Sequence, residues 1–181
     1  NVTAAFARIG CTFVQSSGHT AVRPSAYLRL VSPVAQVPGG SLHVSRDAVI
    51  ELGPGSVALL NLQLDSGNML AASGAVTVNV SGNATVRVTG QALIRQVSLR
   101  LLSGGTLTLS PQVNVTLDAT DIQLAHGSWA TSDDATVQGL GTSAFVNNGT
   151  VTAPGDAVSR FFGLTVTGFG LFSPPEKFSF Q

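Results

Sequence analysis

The chain has 181 residues, nine of them basic and nine acidic, so its formal net charge at pH 7 is zero. Only 10% of residues are charged and the arginines are scattered, which excludes the clustered cations of a nucleic-acid surface. No apolar run approaches the roughly 20 residues of a membrane helix, so membrane insertion is not expected either. Twenty glycines, 44% hydrophobic residues and an excess of Val, Leu, Thr and Ser over Lys and Glu favour strands and turns. The expectation is one all-β domain with a sizeable core.

Residues 1–38 carry apolar clusters around Phe6, Phe13 and Tyr27, with prolines at 24, 33 and 38. They show no regular spacing and read as an N-terminal cap or an irregular first coil. Asn1 is not preceded by Met and no signal-peptide pattern follows it, so the chain reads as a mature product or a fragment of a longer one. Cys11, the single cysteine, reads as a small buried hydrophobe, with an interchain disulfide or a reactive thiol as the alternative.

From residue 39 to 172 the chain repeats. Leu42, Leu64, Val86, Leu107, Trp129 and Val151 recur at a nearly constant interval of about 22 residues. A second ladder runs through Leu59, Val80, Leu101, Ile122, Phe145 and Val166, and a weaker third through Ile50, Ala72, Ile94, Val115 and Val137. Each position lies in a short alternation of apolar and polar residues, the period-2 signature of a half-buried strand. An antiparallel sandwich would space its strands similarly, but its hairpins would not hold one strand type to so constant an interval. Three strands per coil, about six coils of about 22 residues and Gly-, Asn- or Ser-rich corners describe a parallel β-solenoid. In that register Asn83, Gly104, His126 and Asn148 share one corner. The pairs Thr85/Arg87, Thr106/Thr108, Ser128/Ala130 and Thr150/Thr152 flank the first ladder and face outward. A Thr-x-Thr array on a flat face resembles that of ice-binding proteins, but Arg87 and Ala130 interrupt it.

The ladders, the short Ser-Gly-led strand units and the phrase FVNNGTV resemble the single-stranded right-handed parallel β-helix of the pectin-lyase-like superfold. The nearest style is that of secreted adhesin-like and surface β-helix proteins. The resemblance covers residues 39–172, and the handedness is what it implies. The pectin-hydrolysing members imply polysaccharide cleavage by Asn-Thr-Asp, Asp-Asp, His-Gly and Arg-Ile-Lys along successive coils. Here His126-Gly127 precedes Asp133-Asp134, and the other two motifs are missing. That activity does not carry over.

Other chemistry would fall to the remaining acidic residues. Asp118, Asp121, Asp133 and Asp134 form the one acidic cluster, with His126 nearby, and are candidates for carbohydrate or ion contact. Adjacent Asp133 and Asp134 in a strand would face opposite ways, which suits a corner better than a carboxylate pair. Three histidines without shared spacing give no metal signature, and no cofactor is expected. The sequons carry the strongest functional signal: Asn1, Asn79, Asn83, Asn114 and Asn148 each begin Asn-x-Ser/Thr. With eight Asn and 36 Ser plus Thr in 181 residues, chance gives about 1.6. Asn79 and Asn114 immediately precede inward ladder residues, so their side chains point outward.

Residues 173–181 read as an exit tail. Phe161, Phe162, Phe169 and Phe172 precede it, and Pro174-Pro175 would stop the strand without covering them. That end therefore predicts packing against another copy, end to end, or against more of a longer parent chain. The functional expectation is a non-enzymatic structural or adhesive glycoprotein, extracellular or at the cell surface, that self-assembles into filaments. The alternative is a carbohydrate-active enzyme or a carbohydrate-binding β-helix module.

Overall fold

The computed structural model is a parallel β-solenoid of about seven turns, without α-helices among the described residues. It describes all residues except 1–5, 11–12, 16, 32–33, 74–75, 132–133 and 154–157; for residues 13, 34–40, 59–60 and 81–84 only the backbone is described. Among the described residues nine strands stack into face one. They run from Phe6–Ile9 and Tyr27–Leu30 through Gln91–Arg95 and Asn114–Asp118 to Phe178–Phe180. Eleven more form a sheet folded lengthwise into faces two and three. Long strands such as Gly55–Asp65, Val76–Thr89 and Asp121–Ala130 run through the fold, and their register shifts mark the bend. Pairing between successive coils is parallel throughout the described residues, so each coil hydrogen-bonds to the coils before and after it.

Alternation builds the interior. In Thr106–Leu109 the side chains of Leu107 and Leu109 are buried while Thr106 and Thr108 face out, and Asn114–Asp118 repeats the pattern. Inward residues stack from coil to coil: Val86 on Leu107, Leu107 on Trp129, Trp129 on Val151. Aromatic residues fill the C-terminal half, with Trp129 edge-on to Phe145 at 4.8 Å and to Phe161 at 5.6 Å between ring centroids. Such edge-to-face pairs add to the gain from burying their area.

The corners are positions of left-handed backbone. Ser25, Asp47, Ser66, Gly90, Gln112 and Asp134 have φ between 50° and 65° where face three turns into face one. Gly104, His126 and Gly168 also have positive φ, at 79°, 66° and 110°, between faces two and three. Gly104 and His126 thus share a corner as their spacing predicts, and Asn148 reaches that corner paired with Ala125. Gly105, Gly127 and Gly149 stack beside it. A Cβ on Gly127 would sit 2.7 Å from the Leu101 carbonyl oxygen, so the coils close up only without one.

Constant spacing misplaces some ladder members. Leu42 pairs with Leu62, and Leu64 lies one inward position further, between Val44 and Val88. Leu101 pairs with Leu124, leaving Ile122 on Leu99. Ala72 lies beyond its strand, and Met69 fills the rung between Ile50 and Ile94. Ile94 in turn stacks on Leu117, while Val115 stacks on Ala92. The reason is unequal coil length: the step from Ile50 to Met69 is shorter than the common repeat, and the step from Met69 to Ile94 is longer. Period 2 keeps a slip of two residues on the same face, so the inward character survived where the partner did not.

Both ends join the solenoid. Phe6–Ile9 pairs with Tyr27–Leu30, and Gly18–Val22 with residues 40–44, so the described parts of residues 1–38 share the common register. At the other end Phe178–Phe180 pairs with Ser159–Phe162, making the tail the last strand of face one. These additions account for about seven turns against the six expected.

Candidate functional site

The solenoid wall puts every outward side chain on one of three faces or three corners, and this sorts the candidates. Asn79 lies on face two, half-buried, its amide donating to Ser56 Oγ at 2.8 Å. It precedes Val80, which is fully buried, and Asn114 precedes buried Val115; both asparagines face outward as expected. Asn114 is exposed at the start of its strand on face one. Asn148 is exposed at the corner between faces two and three, where its Oδ1 accepts from the Phe169 N–H at 3.4 Å. Asn1, Cys11 and the side chain of Asn83 lie outside the described residues.

The acidic cluster of the sequence disperses in space. Asp118 is on face one and accepts from Arg95 Nε at 2.7 Å. Asp121 is on face two, in the outward column of Ser98 and Ala144. Asp134 is at the corner between faces three and one, 3.4 Å from Arg160 Nη1. His126 is exposed at the remaining corner, and Asp133 lies outside the described residues. The described members therefore form no convergent carboxylate pair. The cations absent from the sequence around them come from neighbouring coils, 23 and 26 residues away. Each neutralises one carboxylate as a surface ion pair.

The four candidate aromatics also separate. Phe161 is only 1% exposed, sealed between Trp129, Phe145 and the tail's Phe180, whose ring stacks on it at 5.2 Å. It is a core residue and cannot form an assembly surface. Phe172 is half-buried against Phe145, Phe178 and Phe180. Phe162 is half-buried on face one, and Phe169 is fully exposed. The chain's own residues 178–180 thus cover the ring cluster that the prolines alone could not. Among the described residues, the large exposed apolar side chains at the two ends are Phe169, Leu171 and Phe180 at one and Phe6 and Val14 at the other.

Two grooves lie among the described residues. The larger, about 420 Å³, lies along the edge of face one among Arg46, Asn68, Gln91, Leu93 and Asn114. It follows from the coil-length step: Leu93 pairs with Asn68, so Gln91 and Ala92 overhang the shorter coil before them. Asn68 Oδ1 accepts from the Leu93 N–H at 3.2 Å, and Ser66 Oγ accepts from the Gln91 N–H at 3.3 Å. The smaller groove, about 250 Å³, lies on face three and brings His19 and His43 together with Asn61, Gln63 and Arg87. The two imidazole centroids are 6.0 Å apart. Sequence reasoning treated these histidines as unrelated. His19 shares its rung with Ser41, and His43 is the next outward residue after Ser41, so the two rings sit on adjacent strands of the same face.

Comparison with family profiles, curated proteins and solved structures found no match to this chain. Its chemistry is read from its own side chains. Among the described residues no group of three or more His, Cys, Asp or Glu could hold a metal ion, and no helix is long and apolar enough to cross a membrane.

Proposed function

We propose that this chain is a rigid, non-enzymatic module of an extracellular or cell-surface glycoprotein, with a structural or adhesive role. The observation that carries the reading is the outward placement of Asn79, Asn114 and Asn148 on a wall whose interior is filled by its own side chains. Glycan attachment needs an exposed Asn-x-Ser/Thr on a secretory route. A solenoid presents such sites at fixed heights on a stiff body, which suits display and adhesion. The dispersed, Arg-paired carboxylates favour a surface role over hydrolysis, which needs two carboxyls held about 5–9.5 Å apart. End-to-end association belongs to the same reading: among the described residues Phe6–Ile9 and Phe178–Phe180 each pair on one side only, and exposed apolar residues lie at both ends.

Peptide mapping of protein from its natural source tests the reading. Glycans are expected on at least two of Asn79, Asn83, Asn114 and Asn148. All four unmodified would remove the secretory assignment.

The groove on face one favours a second reading, a carbohydrate-binding module. Its amides and Arg46 offer the donors and acceptors a sugar ring uses. The two readings meet at Asn114, which lines that groove. A glycan on Asn114 would occupy the space a free saccharide needs, so saccharide binding should rise when Asn114→Gln removes it.

A further inference from the structure

We infer that the groove of face three is a binding site for a tetrahedral oxyanion, sulfate or phosphate, held by His19, His43 and Arg87. His43, Gln63 and Arg87 occupy successive rungs of one outward column. His19, Ser41, Asn61 and Thr85 occupy the column beside it. Rungs are about 4.8 Å apart, so side chains from these columns surround one point above Gln63. Donors arranged over several rungs suit a tetrahedral anion better than a planar carboxylate.

The sign of the ligand follows from what lines the groove. Among the described residues no carboxylate does. The nearest on the same column of strands, Asp65, lies one outward position beyond Gln63 and accepts from Thr89 Oγ1 at 2.6 Å. Elsewhere on the wall Arg29, Arg95 and Arg160 each face a carboxylate on an adjacent rung or at the nearest corner. Arg87 is exposed, its rung neighbours are Gln63 and Thr108, and it makes no ion pair among the described residues. His43 supplies an independent observation: its Nε2 is covered yet has no hydrogen-bond partner, although the ring lines the groove. Covered polar atoms almost always have a partner, and an imidazole nitrogen two rungs from a guanidinium, when it carries its proton, is suited to an anionic one. His19 is oriented by its Nδ1, 2.7 Å from Ser41 Oγ. A divalent metal is the rival ligand. It would find two imidazoles, no third His, Cys, Asp or Glu among the described residues, and the opposing charge of Arg87.

The anion is either free or an ester on a saccharide, and the experiment separates these sources. The intact chain is titrated with sodium sulfate, against sodium chloride at matched ionic strength, while the imidazole signals are followed by NMR. Saturable shifts of His19 and His43, with His126 unmoved, are expected. Arg87→Gln should weaken binding about tenfold, the loss of one charge-assisted hydrogen bond. Arg100→Gln, a change on face two, should leave it unaltered. In a second arm, a sulfated oligosaccharide is compared with its desulfated form. Preference for the sulfated form assigns the site to an ester, and equal affinity for inorganic sulfate assigns it to the free anion. Shifts that follow ionic strength alone, equal shifts of His19 and His43 by the sulfated and desulfated oligosaccharides, an unchanged affinity in Arg87→Gln, or shifts with Zn²⁺ but not with sulfate would each overturn the assignment.

Discussion

Replacing Leu107 with Ala tests the stacking that carries the solenoid. Leu107 is 2% exposed and lies between Val86 below and Trp129 above. Burying a leucine side chain is worth about 1.5–3 kcal/mol in transfer alone. The space left by truncation adds to this, because Val86 and Trp129 sit on strands held apart by the backbone ladder and cannot close over it. Within the range of about 2–5 kcal/mol for such substitutions, the expected loss is therefore about 3–4 kcal/mol. Leu107→Asp should cost more, since it would place a carboxylate in the interior between Val86 and Trp129. The control is Thr106→Ala, one residue away. Thr106 faces outward, half-buried, with its hydroxyl 3.3 Å from Ser128 Oγ, and its loss should stay below about 1 kcal/mol. Urea unfolding followed by Trp fluorescence is a direct assay, because Trp129 is the only tryptophan and is 1% exposed. With a slope of about 2–3 kcal/mol per molar, the midpoint should fall by more than about 1 M for Leu107→Ala and by under about 0.5 M for Thr106→Ala. Circular dichroism should give the same midpoints if the coils unfold together. Equal shifts for the two variants would refute the register.

The buried hydroxyl of Thr120 lies 2.9 Å from the Ile94 carbonyl, and its N–H donates to Ser143 Oγ; Thr120→Val should cost about 1–3 kcal/mol in the same melt, and no loss would mean the hydroxyl makes no net contribution. Gly127→Ala should destabilise by about 1–3 kcal/mol, because the new methyl meets the Leu101 backbone, whereas Gly10→Ala has open space and should be nearly neutral. Arg95→Gln should change stability by less than about 1 kcal/mol, as its partner Asp118 sits at the surface; a larger loss in a thermal melt would give that pair a role beyond a surface ion pair. Light scattering across a concentration series should show end-to-end growth that is reduced by Phe180→Ser and unaffected by Thr108→Ser; a compact monomer at every concentration would remove the filament proposal.

Much of the candidate surface was legible because facing follows from period 2. Asn79 and Asn114 could be placed outward from Val80 and Val115 alone. The acidic residues were not legible in this way. Their closeness in sequence suggested a cluster, but residues 118, 121 and 134 straddle corners, and a corner sends neighbours onto different faces. Their partners Arg95 and Arg160 are remote in sequence and adjacent in space, which is how a stack of coils makes contacts. His19 and His43 were missed for the same reason, since each belongs to a different coil and only the stack brings the rings together.

By itself the sequence determined that this chain coils. Alternation fixed strands with one buried face, and the recurrence of that pattern at a nearly constant interval required those strands to stack in parallel, since only stacking would bury the same side chain in every unit. It also determined the corner of Gly104 and His126, because positive φ there demands small or tolerant residues. Which inward residue covers which was decided by the tertiary structure. Coils of unequal length pass through the same hydrogen-bonded ladder, and a two-residue slip costs nothing in facing, so periodicity could not detect it. The tertiary structure also decided the fate of the ends. Strands 6–9 and 178–180 are short and flanked by irregular spacing, and only an existing neighbouring coil gives them hydrogen bonds and an apolar surface to cover. The step that opens the groove on face one has the same origin, a mismatch between neighbouring coils that is visible only when one is laid upon the other.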